Sequence, residues 1–506
     1  MRHKVYGLSK SKYVEYCRCP HSLWLSTHRR ELRREPTKEE IAIFEQGDRV
    51  GRLAHDLFPG AVLIDYDASN FPEMARKTAE LIDAGVETIC EATFIEQNTV
   101  VLVDILHKDS RGWGVYEVKS SGSVSESYLD DISIQWFVVS KHLSNLQSAS
   151  LVLINKDYKR EALLDVRGLL RMEDVTDEIL SRQSKVDANL TEIQKRLNEQ
   201  DEGEPPIGER CGWSGSNQCV YAEHCFSDVK NLEFFNLYRQ NKSVYALLTK
   251  DESRAKGFAD NISDHLRLNA LNRTQLDSWS SGEVKIVKDK VADFLSSLVY
   301  PVSYLDFEWL SEAVPRYNGT SPFQKIPFQF SIHIQDEAGG DLKQFGFLAG
   351  GDVDPRKEFV DRLLEYTPPS GSIIAFNASQ AEALVLGQLA EEFPVTAKEL
   401  LSIRDRIIDP LVQVFRKGYL YAPSFEGSFS MKSIQPFFAQ GATYDDIEIK
   451  GGTQAVNDYL STLDNNPDVD VSKVRDDLTT YCGLDTKGMA DVIDGMRRVL
   501  EKYRNA

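Results

Sequence analysis

The chain has 506 residues, of which 42% are hydrophobic and 27% are charged. This composition supports roughly two to four folded domains and excludes a disordered or fibrous protein. The sequence has no apolar run of the roughly 18 residues that a membrane span needs. Residues 1–4 are polar and do not lead into the apolar segment of a secretory signal. We therefore expect a cytoplasmic protein without membrane involvement.

The net charge of −19 is unevenly distributed. Residues 1–34 contain nine Lys or Arg residues and two acidic residues, so that segment carries +7 and the remainder −26. A basic segment on an acidic body is compatible with phosphate contact at one end and metal-binding carboxylates elsewhere. A solvated basic helix face explains the same charge pattern equally well.

The first half of the chain predicts a small α/β domain. Residues 1–58 have helical spacing of apolar residues, and Ser9 is suited to an N-cap position. Short β-like runs follow at 91–95, 100–106 and 114–119, and then a helix at 128–143 and a strand at 150–154. This order favours a mixed sheet. A charged helical stretch at 172–200 completes the domain, which we place at 1–229.

Acidic residues recur at what we predict to be the ends of these consecutive strands, namely Glu91, Asp104 and Glu117. Because alternate residues of a strand face the same side, Glu117 and Lys119 should project together. Metal-assisted phosphodiester hydrolysis needs carboxylates that hold Mg²⁺ or Mn²⁺ and a lysine that orients the attacking water. The pattern therefore indicates a metal-dependent hydrolytic site.

The order Asp104…Glu117-x-Lys119 resembles the PD-(D/E)XK nuclease superfamily. Residues 47–55 and 131–135 are similar to two helices of its RecB-like members, which end here in His55 and Gln135. Val139 stands where the family usually has a tyrosine. The resemblance implies a restriction-endonuclease-like fold in which His55, Asp104 and Glu117 bind metal, with Glu91 as second choice. It also implies that Asp104, Glu117, Lys119 and Gln135 carry the catalysis.

The seven cysteines include a cluster after the predicted nuclease core. In a reducing compartment, clustered thiols suggest a metal or an iron–sulfur centre rather than disulfides. Together with Cys19-Pro20, the cluster resembles the iron–sulfur staple of RecB-like nucleases such as the CRISPR-associated RecB-like exonucleases. The resemblance implies a 4Fe–4S cluster bound by Cys19, Cys211, Cys219 and Cys225. Structural zinc and Cys17 in place of Cys19 are the alternatives, and Cys90 and Cys482 are expected to be buried core thiols.

The predicted secondary structure changes again in the second half of the chain. Residues 230–297 predict a helical connector, and strands are predicted at 302–307, 328–334 and 372–376. Helices follow the third strand. These elements predict a second α/β domain over residues 298–506.

Asp306 and Glu308 lie two apart on the first of these strands and should face the same side. The pair resembles the start of DEDD-type, RNase H-like exonucleases, which use two metal ions. Tyr481-x3-Asp485 resembles the closing motif of the tyrosine subclass, which implies that Asp485 binds metal and Tyr481 orients water. Thr480 stands where the histidine subclass needs a histidine. The middle acid of the pattern is Glu382, with Asp409 as second choice.

Taken with residues 427–434, these features resemble an uncharacterised bacterial family that fuses an iron–sulfur RecB-like nuclease to a DEDD-like domain. The resemblance implies a metal-dependent nuclease with two centres that hydrolyses DNA at ends or in single strands. One alternative is a nucleic-acid-binding protein with one degenerate nuclease domain. The other is an RNA-processing exonuclease, because phosphodiester attack does not reveal the sugar.

Overall fold

The computed structural model describes residues 7–212, 218–229, 232–248, 266–439, 449, 451–463, 467 and 469–504. The chain forms two compact units. Unit 1 comprises Met1–Asp228 and Glu312–Gln324, and unit 2 comprises Val229–Ser311 and Lys325–Ala506. Both units combine helices with mixed sheets, which confirms the α/β class expected from the sequence.

The described part of unit 1 is built on a seven-stranded mixed sheet in the order β2-β3-β4-β5-β6-β7, with β1 paired to β4. Strands β3, β4 and β5 are antiparallel neighbours, whereas β5 and β6 run parallel. The strands are β1 (Leu8–Ser9), β2 (Val62–Leu63), β3 (Thr88–Glu96), β4 (Thr99–Lys108), β5 (Trp113–Val118), β6 (Leu146–Ile154) and β7 (Leu170–Asp174).

Helices cover this sheet and begin at recognisable caps. The Ser9 hydroxyl accepts a hydrogen bond from the Lys12 amide at 3.3 Å, as an N-cap should, and Thr37 and Glu40 form a capping box. The helices are α1 (Lys10–Arg18), α2 (Pro20–His28), α3 (Lys38–Ala54), α4 (Phe71–Asp83), α5 (Glu126–Val139), α6 (Val166–Leu169), α7 (Thr176–Asn198) and α8 (Ala222–Cys225). Nine residues of α5 are buried, so this helix forms part of the core.

The segment Glu312–Gln324 completes unit 1 from far along the chain. Ala313 and Val314 are buried in one hydrophobic cluster with Val50 of α3. The Ala313 amide donates to the Gln46 side chain at 2.9 Å. The Arg160 guanidinium donates to two backbone carbonyl oxygens of the segment at 2.8 and 2.9 Å.

The described part of unit 2 is organised around a five-stranded sheet in the order β11-β10-β9-β12-β13. Strand β9 pairs antiparallel with β10 and parallel with β12. The predicted third strand, 372–376, is reduced to two residues. The strands are β8 (Lys285–Ile286), β9 (Val302–Leu310), β10 (Ile326–Gln335), β11 (Leu342–Leu348), β12 (Ile373–Ile374), β13 (Ile407–Ile408) and β14 (Leu420–Tyr421).

The helices of unit 2 include α18, a 34-residue helix that packs against β9 and β10. Residues 230–297, predicted as a connector, contribute Leu271, Val291 and Phe294 to the hydrophobic core of unit 2, while 249–265 lie outside the described residues. The helices are α9 (Asn241–Leu248), α10 (Ala270–Ser281), α11 (Lys288–Ser296), α12 (Arg356–Tyr366), α13 (Glu382–Glu392), α14 (Ala397–Asp405), α15 (Pro410–Gln413), α16 (Met431–Phe438), α17 (Gly452–Ser461) and α18 (Val471–Arg504).

Across the described residues of both units, no helix combines the length and the apolar character that crossing a membrane requires.

Candidate functional sites

Two neighbouring strands of unit 1 bring together the predicted acids Asp104 and Glu117. Ile105 of β4 pairs with Tyr116 of β5 in an antiparallel register. Asp104 precedes Ile105 and Glu117 follows Tyr116, so these two acids lie opposite each other on neighbouring strands. Asp104 also accepts a hydrogen bond from the Val118 amide at 2.7 Å. The prediction that the acids lie at strand ends is wrong for Asp104 and for Glu91, because β4 continues to residue 108 and Glu91 is the fourth residue of β3. Asp104 interrupts an otherwise apolar run of β4.

Glu117 is the centre of a hydrogen-bonded network. It is 2% exposed and accepts hydrogen bonds from Lys119 Nζ and Gln135 Nε2, each at 2.6 Å. Both donors also bond Asp131, at 2.7 Å from Lys119 and 3.1 Å from Gln135. The structure thus brings Glu117, Lys119 and Gln135 together as the sequence predicts, and Asp131 joins them because it lies one helical turn before Gln135 on α5.

Lys10 is a member of this site that the sequence analysis missed. Its Nζ lies 3.1 Å from both carboxylate oxygens of Glu117, 3.4 Å from Asp104 and 4.0 Å from Asp131. It is the first residue of α1, directly after β1, which pairs with β4. A separation of 94 residues from Asp104 leaves no motif spacing that indicates this contact.

His55 and Glu91 line the same cavity as Asp104, Glu117 and Lys119, which has a volume of about 630 Å³. Glu91 has a φ of +57°, a left-handed conformation that is rare for a glutamate within a strand. Burial, followed by the charge of Asp104, raises the pKa of Glu91 to about 7. Burial and the neighbouring Glu117 raise the pKa of Asp104 to about 6.

Lys10 and Lys119 lower the pKa of Glu117, in contrast to the raised pKa values of Glu91 and Asp104. Burial acts to raise its pKa, but the charges of Lys10 and Lys119 outweigh burial and hold the pKa of Glu117 well below its ordinary range. Burial acts to lower the pKa of Lys119, but the charges of Glu117 and Asp131 outweigh burial and raise it. The site therefore holds charged carboxylates and charged ammonium groups side by side.

The four predicted cluster ligands line one cavity of about 770 Å³ in unit 1; they are Cys19, Cys211, Cys219 and Cys225. The Ser22 amide donates to Cys19 Sγ at 3.4 Å and the Gly208 amide to Cys211 Sγ at 3.3 Å. Cys17 does not line this cavity, and its sulfur accepts a hydrogen bond from Asn189 at 3.6 Å. None of the seven cysteines forms a disulfide.

The two remaining cysteines are buried, as predicted. Cys90 is 1% exposed and Cys482 is 0% exposed. Cys482 Sγ lies 3.6 Å from a carboxylate oxygen of Asp306.

In unit 2, Asp306 and Glu308 of β9 meet Asp485 of α18. One carboxylate oxygen from each residue lies within 4.8 Å of the others, and Glu308 and Asp485 are buried. The strand puts both of its acids on one face, and α18 packs against that strand. Among the acidic residues described in unit 1, no such triplet occurs; there, Lys10 contacts the carboxylates instead.

Glu382, at the first position of α13, is the fourth acid of this site. It is 2% exposed, and its Oε2 atom is buried without a hydrogen-bond partner. Burial raises the pKa of Glu382 to about 8. Burial and the charges of Asp485 and Glu382 raise the pKa of Glu308 to about 8, and the same effects raise the pKa of Asp306 well above its ordinary value.

The second-choice acid, Asp409, accepts hydrogen bonds from three backbone amides. Its side chain caps α15 by accepting from the Leu411 amide at 2.9 Å and the Val412 amide at 3.4 Å. It also accepts from the Ala378 amide at 3.2 Å. Because backbone donors occupy this carboxylate, the geometry favours Glu382 over Asp409 as the middle acid.

Tyr481 lies one turn before Asp485 on α18 and is 5% exposed. Lys432 Nζ lies 5.5 Å from the centre of its ring, and the same ammonium acts to lower the pKa of Glu308. The predicted tyrosine is therefore close to the acids and to a lysine that the sequence analysis did not assign to the site.

Comparison with known proteins relates parts of the chain to a family model and to a protein of Mycoplasma genitalium. Residues 303–430 match a domain of unknown function, DUF2779. Over 291 residues the chain is 21% identical to the uncharacterized protein MG366 of Mycoplasma genitalium, a match that covers 52% of this chain and 42% of that protein. The matched domain includes Asp306, Glu308 and Glu382, whereas Asp485 and the acids of unit 1 lie outside it. Neither description names an activity.

Proposed function

We propose that this chain is a cytoplasmic, metal-dependent nuclease with two centres, which hydrolyses phosphodiester bonds of DNA ends or single strands. Unit 1 would be a RecB-like PD-(D/E)XK nuclease and unit 2 a DEDD-type exonuclease. The observation that carries the proposal is the convergence of acids from distant parts of the chain, above all Asp306, Glu308 and Asp485. Buried carboxylates so close together repel one another unless a cation lies between them.

The acids of unit 2 fit a divalent cation by their chemistry. Carboxylate oxygens are the ligands that Mg²⁺ and Mn²⁺ prefer. Burial raises the pKa values of Glu308 and Glu382 to about 8 in each case, and neighbouring carboxylates add to the shift, Asp485 and Glu382 for Glu308 and Asp409 for Glu382. The unpartnered Oε2 of Glu382 adds a further free ligand atom.

When bound, Mg²⁺ or Mn²⁺ activates water and neutralises charge that develops on the phosphate. Asp306, Glu308, Glu382 and Asp485 would hold the ions, and Tyr481 would orient the attacking water through its hydroxyl. Lys432, close to both Tyr481 and Glu308, is placed to stabilise negative charge on the substrate phosphate.

In unit 1, Asp104, Glu117 and His55 would hold the metal, with Glu91 at the same cavity. Lys119, fixed between Glu117 and Asp131 at 2.6 and 2.7 Å, would orient water or stabilise charge on the phosphate. Gln135 would position Glu117 by its hydrogen bond at 2.6 Å.

The fold of unit 2 supports the same assignment. Counting only the strands of its five-stranded sheet in chain order, their arrangement is three-two-one-four-five, with the second antiparallel to the first. A mixed sheet of this kind is consistent with the RNase H-like α/β fold that the resemblance implies. Asp306 of its first strand lies close to Asp485 of α18.

We further propose that Cys19, Cys211, Cys219 and Cys225 bind a 4Fe–4S cluster. The proposal is supported by the four cysteines lining one cavity and by four thiolates being the ligand set of a 4Fe–4S cluster. Structural zinc is the alternative that the same four thiolates allow.

Digestion of labelled single-stranded and duplex DNA by the full chain tests the proposal. With Mn²⁺ present we expect cleavage, which EDTA abolishes. Lys119→Ala should remove the component from unit 1 and Asp306→Ala the component from unit 2. Lys195→Ala on the exposed face of α7 and Asp341→Ala on an exposed turn are matched controls. Full activity in both site variants would show that the acids do not form nuclease centres; RNA cleavage without DNA cleavage would reassign the substrate.

A further inference from the structure

Lys10 makes an unusual contact for a residue at the start of a helix. Its ammonium group contacts both oxygens of Glu117 at 3.1 Å and Asp104 at 3.4 Å. These are the two carboxylates assigned to the metal in unit 1. A second ammonium, that of Lys119, donates to Oε1 of Glu117 at 2.6 Å, an oxygen that it shares with Lys10.

The two lysines differ in what surrounds them. Lys119 follows β5 and is bonded to both Glu117 and Asp131, and Tyr128 lies against it, with its ring centre 5.3 Å from Nζ. Lys10 comes from α1, an element separate from the strands that carry the acids, and the two lysine side chains are about equally exposed, at 22% for Lys10 and 20% for Lys119. A lysine stem has four rotatable carbons, so Lys10 can withdraw toward solvent without moving the sheet.

A divalent cation held by Asp104 and Glu117 must approach the same oxygens that Lys10 contacts. Two cations cannot occupy that position together, because their repulsion adds to the steric conflict. The ammonium group and the metal are therefore alternatives for one carboxylate pair.

We propose that Lys10 is an internal counter-ion that competes with the divalent cation for Asp104 and Glu117. In the metal-free protein it neutralises the acids, and metal binding displaces it. The inference rests on the proposed metal site of unit 1. It assigns to that site a residue whose removal should strengthen metal binding, which is the reverse of what loss of a ligand or of a structural contact would do.

Mn²⁺ titration of the full chain, followed by the electron paramagnetic resonance of free Mn²⁺, tests this competition. Asp306→Asn and Asp485→Asn in every sample silence the site of unit 2. Lys10→Met should lower the Mn²⁺ dissociation constant roughly ten- to a hundredfold, because the metal no longer has to break a hydrogen bond between charged groups. Lys12→Met on the same helix is the matched control and should leave the constant unchanged. Lys10→Gln, which keeps a neutral donor, should act in the same direction as Lys10→Met.

Thermal unfolding gives a second readout. Without metal, Lys10→Met should unfold at a lower temperature than the parent, because Glu117 loses a neutralising charge. Its gain in stability on adding Mn²⁺ should exceed that of the parent.

The outcomes separate this inference from the proposed function. If Asp104→Asn abolishes Mn²⁺ binding but Lys10→Met leaves it unchanged or weaker, competition by Lys10 is wrong and the metal site stands. If Mn²⁺ binds neither the parent nor Lys10→Met, the metal site of unit 1 is itself wrong.

Discussion

Replacing Glu308 by glutamine should make metal-free unit 2 more stable at alkaline pH. Glu308 is 8% exposed, and burial together with the charges of Asp485 and Glu382 raises its pKa from 4.5 to about 8. Between these two pH values the folded unit keeps the proton that the unfolded chain has released. Stability conferred by this group is thus fully present below pH 4.5 and is lost as the pH rises toward 8.

The size of the effect follows from that shift. At about 1.4 kcal/mol per pKa unit, Glu308 removes about 5 kcal/mol of stability across the window. This is a large part of the roughly 5–15 kcal/mol that a domain has in total. Glutamine stays neutral at every pH, so Glu308→Gln should match the parent at about pH 5 and exceed it by up to about 5 kcal/mol at about pH 8.5.

Urea unfolding in EDTA, followed by circular dichroism at the two pH values, measures this difference in the free energy of unfolding. Glu337→Gln, on an exposed turn of unit 2, should follow the parent at both. Adding Mn²⁺ at the higher pH should stabilise the parent more than Glu308→Gln, because one ligand is gone. Equal pH dependence in the parent and Glu308→Gln would refute the reasoning, since it would mean that Glu308 is not buried among other carboxylates.

Three other predictions concern unit 1. Gln135→Leu should lower its free energy of unfolding by about 2–3 kcal/mol, because two buried carboxylates lose a donor; an unchanged urea midpoint would contradict the network. Anaerobically purified protein should absorb broadly near ~400 nm, and Cys219→Ser should lose this absorbance while Cys17→Ser keeps it; a colourless, zinc-containing protein would count against the iron–sulfur assignment. Mn²⁺ affinity of unit 1 should fall as the pH drops below 7, because Glu91 and Asp104, with pKa values of about 7 and about 6, take up protons; a pH-independent affinity between 5 and 8 would exclude them as ligands.

Local sequence patterns predict what depends on short-range geometry. Short apolar runs separated by polar or glycine-containing turns predict β3, β4 and β5, and the two-residue spacing of Glu117 and Lys119 predicts their shared face. The i, i+4 spacing of Tyr481 and Asp485 places both on one face of α18 in the same way.

Contacts set by tertiary packing could not be predicted in this way. Lys10 reaches Glu117 because β1 pairs with β4, a pairing of two residues that leaves no pattern in the sequence. Strands β12 and β13 are two residues long. The sequence predicts a longer strand at 372–376 because the residues that follow Ile374, Ala375 and Phe376, are also apolar. Asp409 resembles a metal ligand in sequence, but its side chain is taken by the amides of α15.

The segment Glu312–Gln324 has a consequence for biosynthesis. The chain passes from one unit to the other after residues 228, 311 and 324, so a truncated protein that stops at residue 228 would lack Ala313 and Val314 from its apolar interior. During synthesis on the ribosome, most of the unit 1 sheet can form early. Unit 1 is complete only after residues 312–324 have been synthesised, and by then β9, which carries Asp306, has also been synthesised. The order of synthesis thus links the maturation of one acidic centre to that of the other.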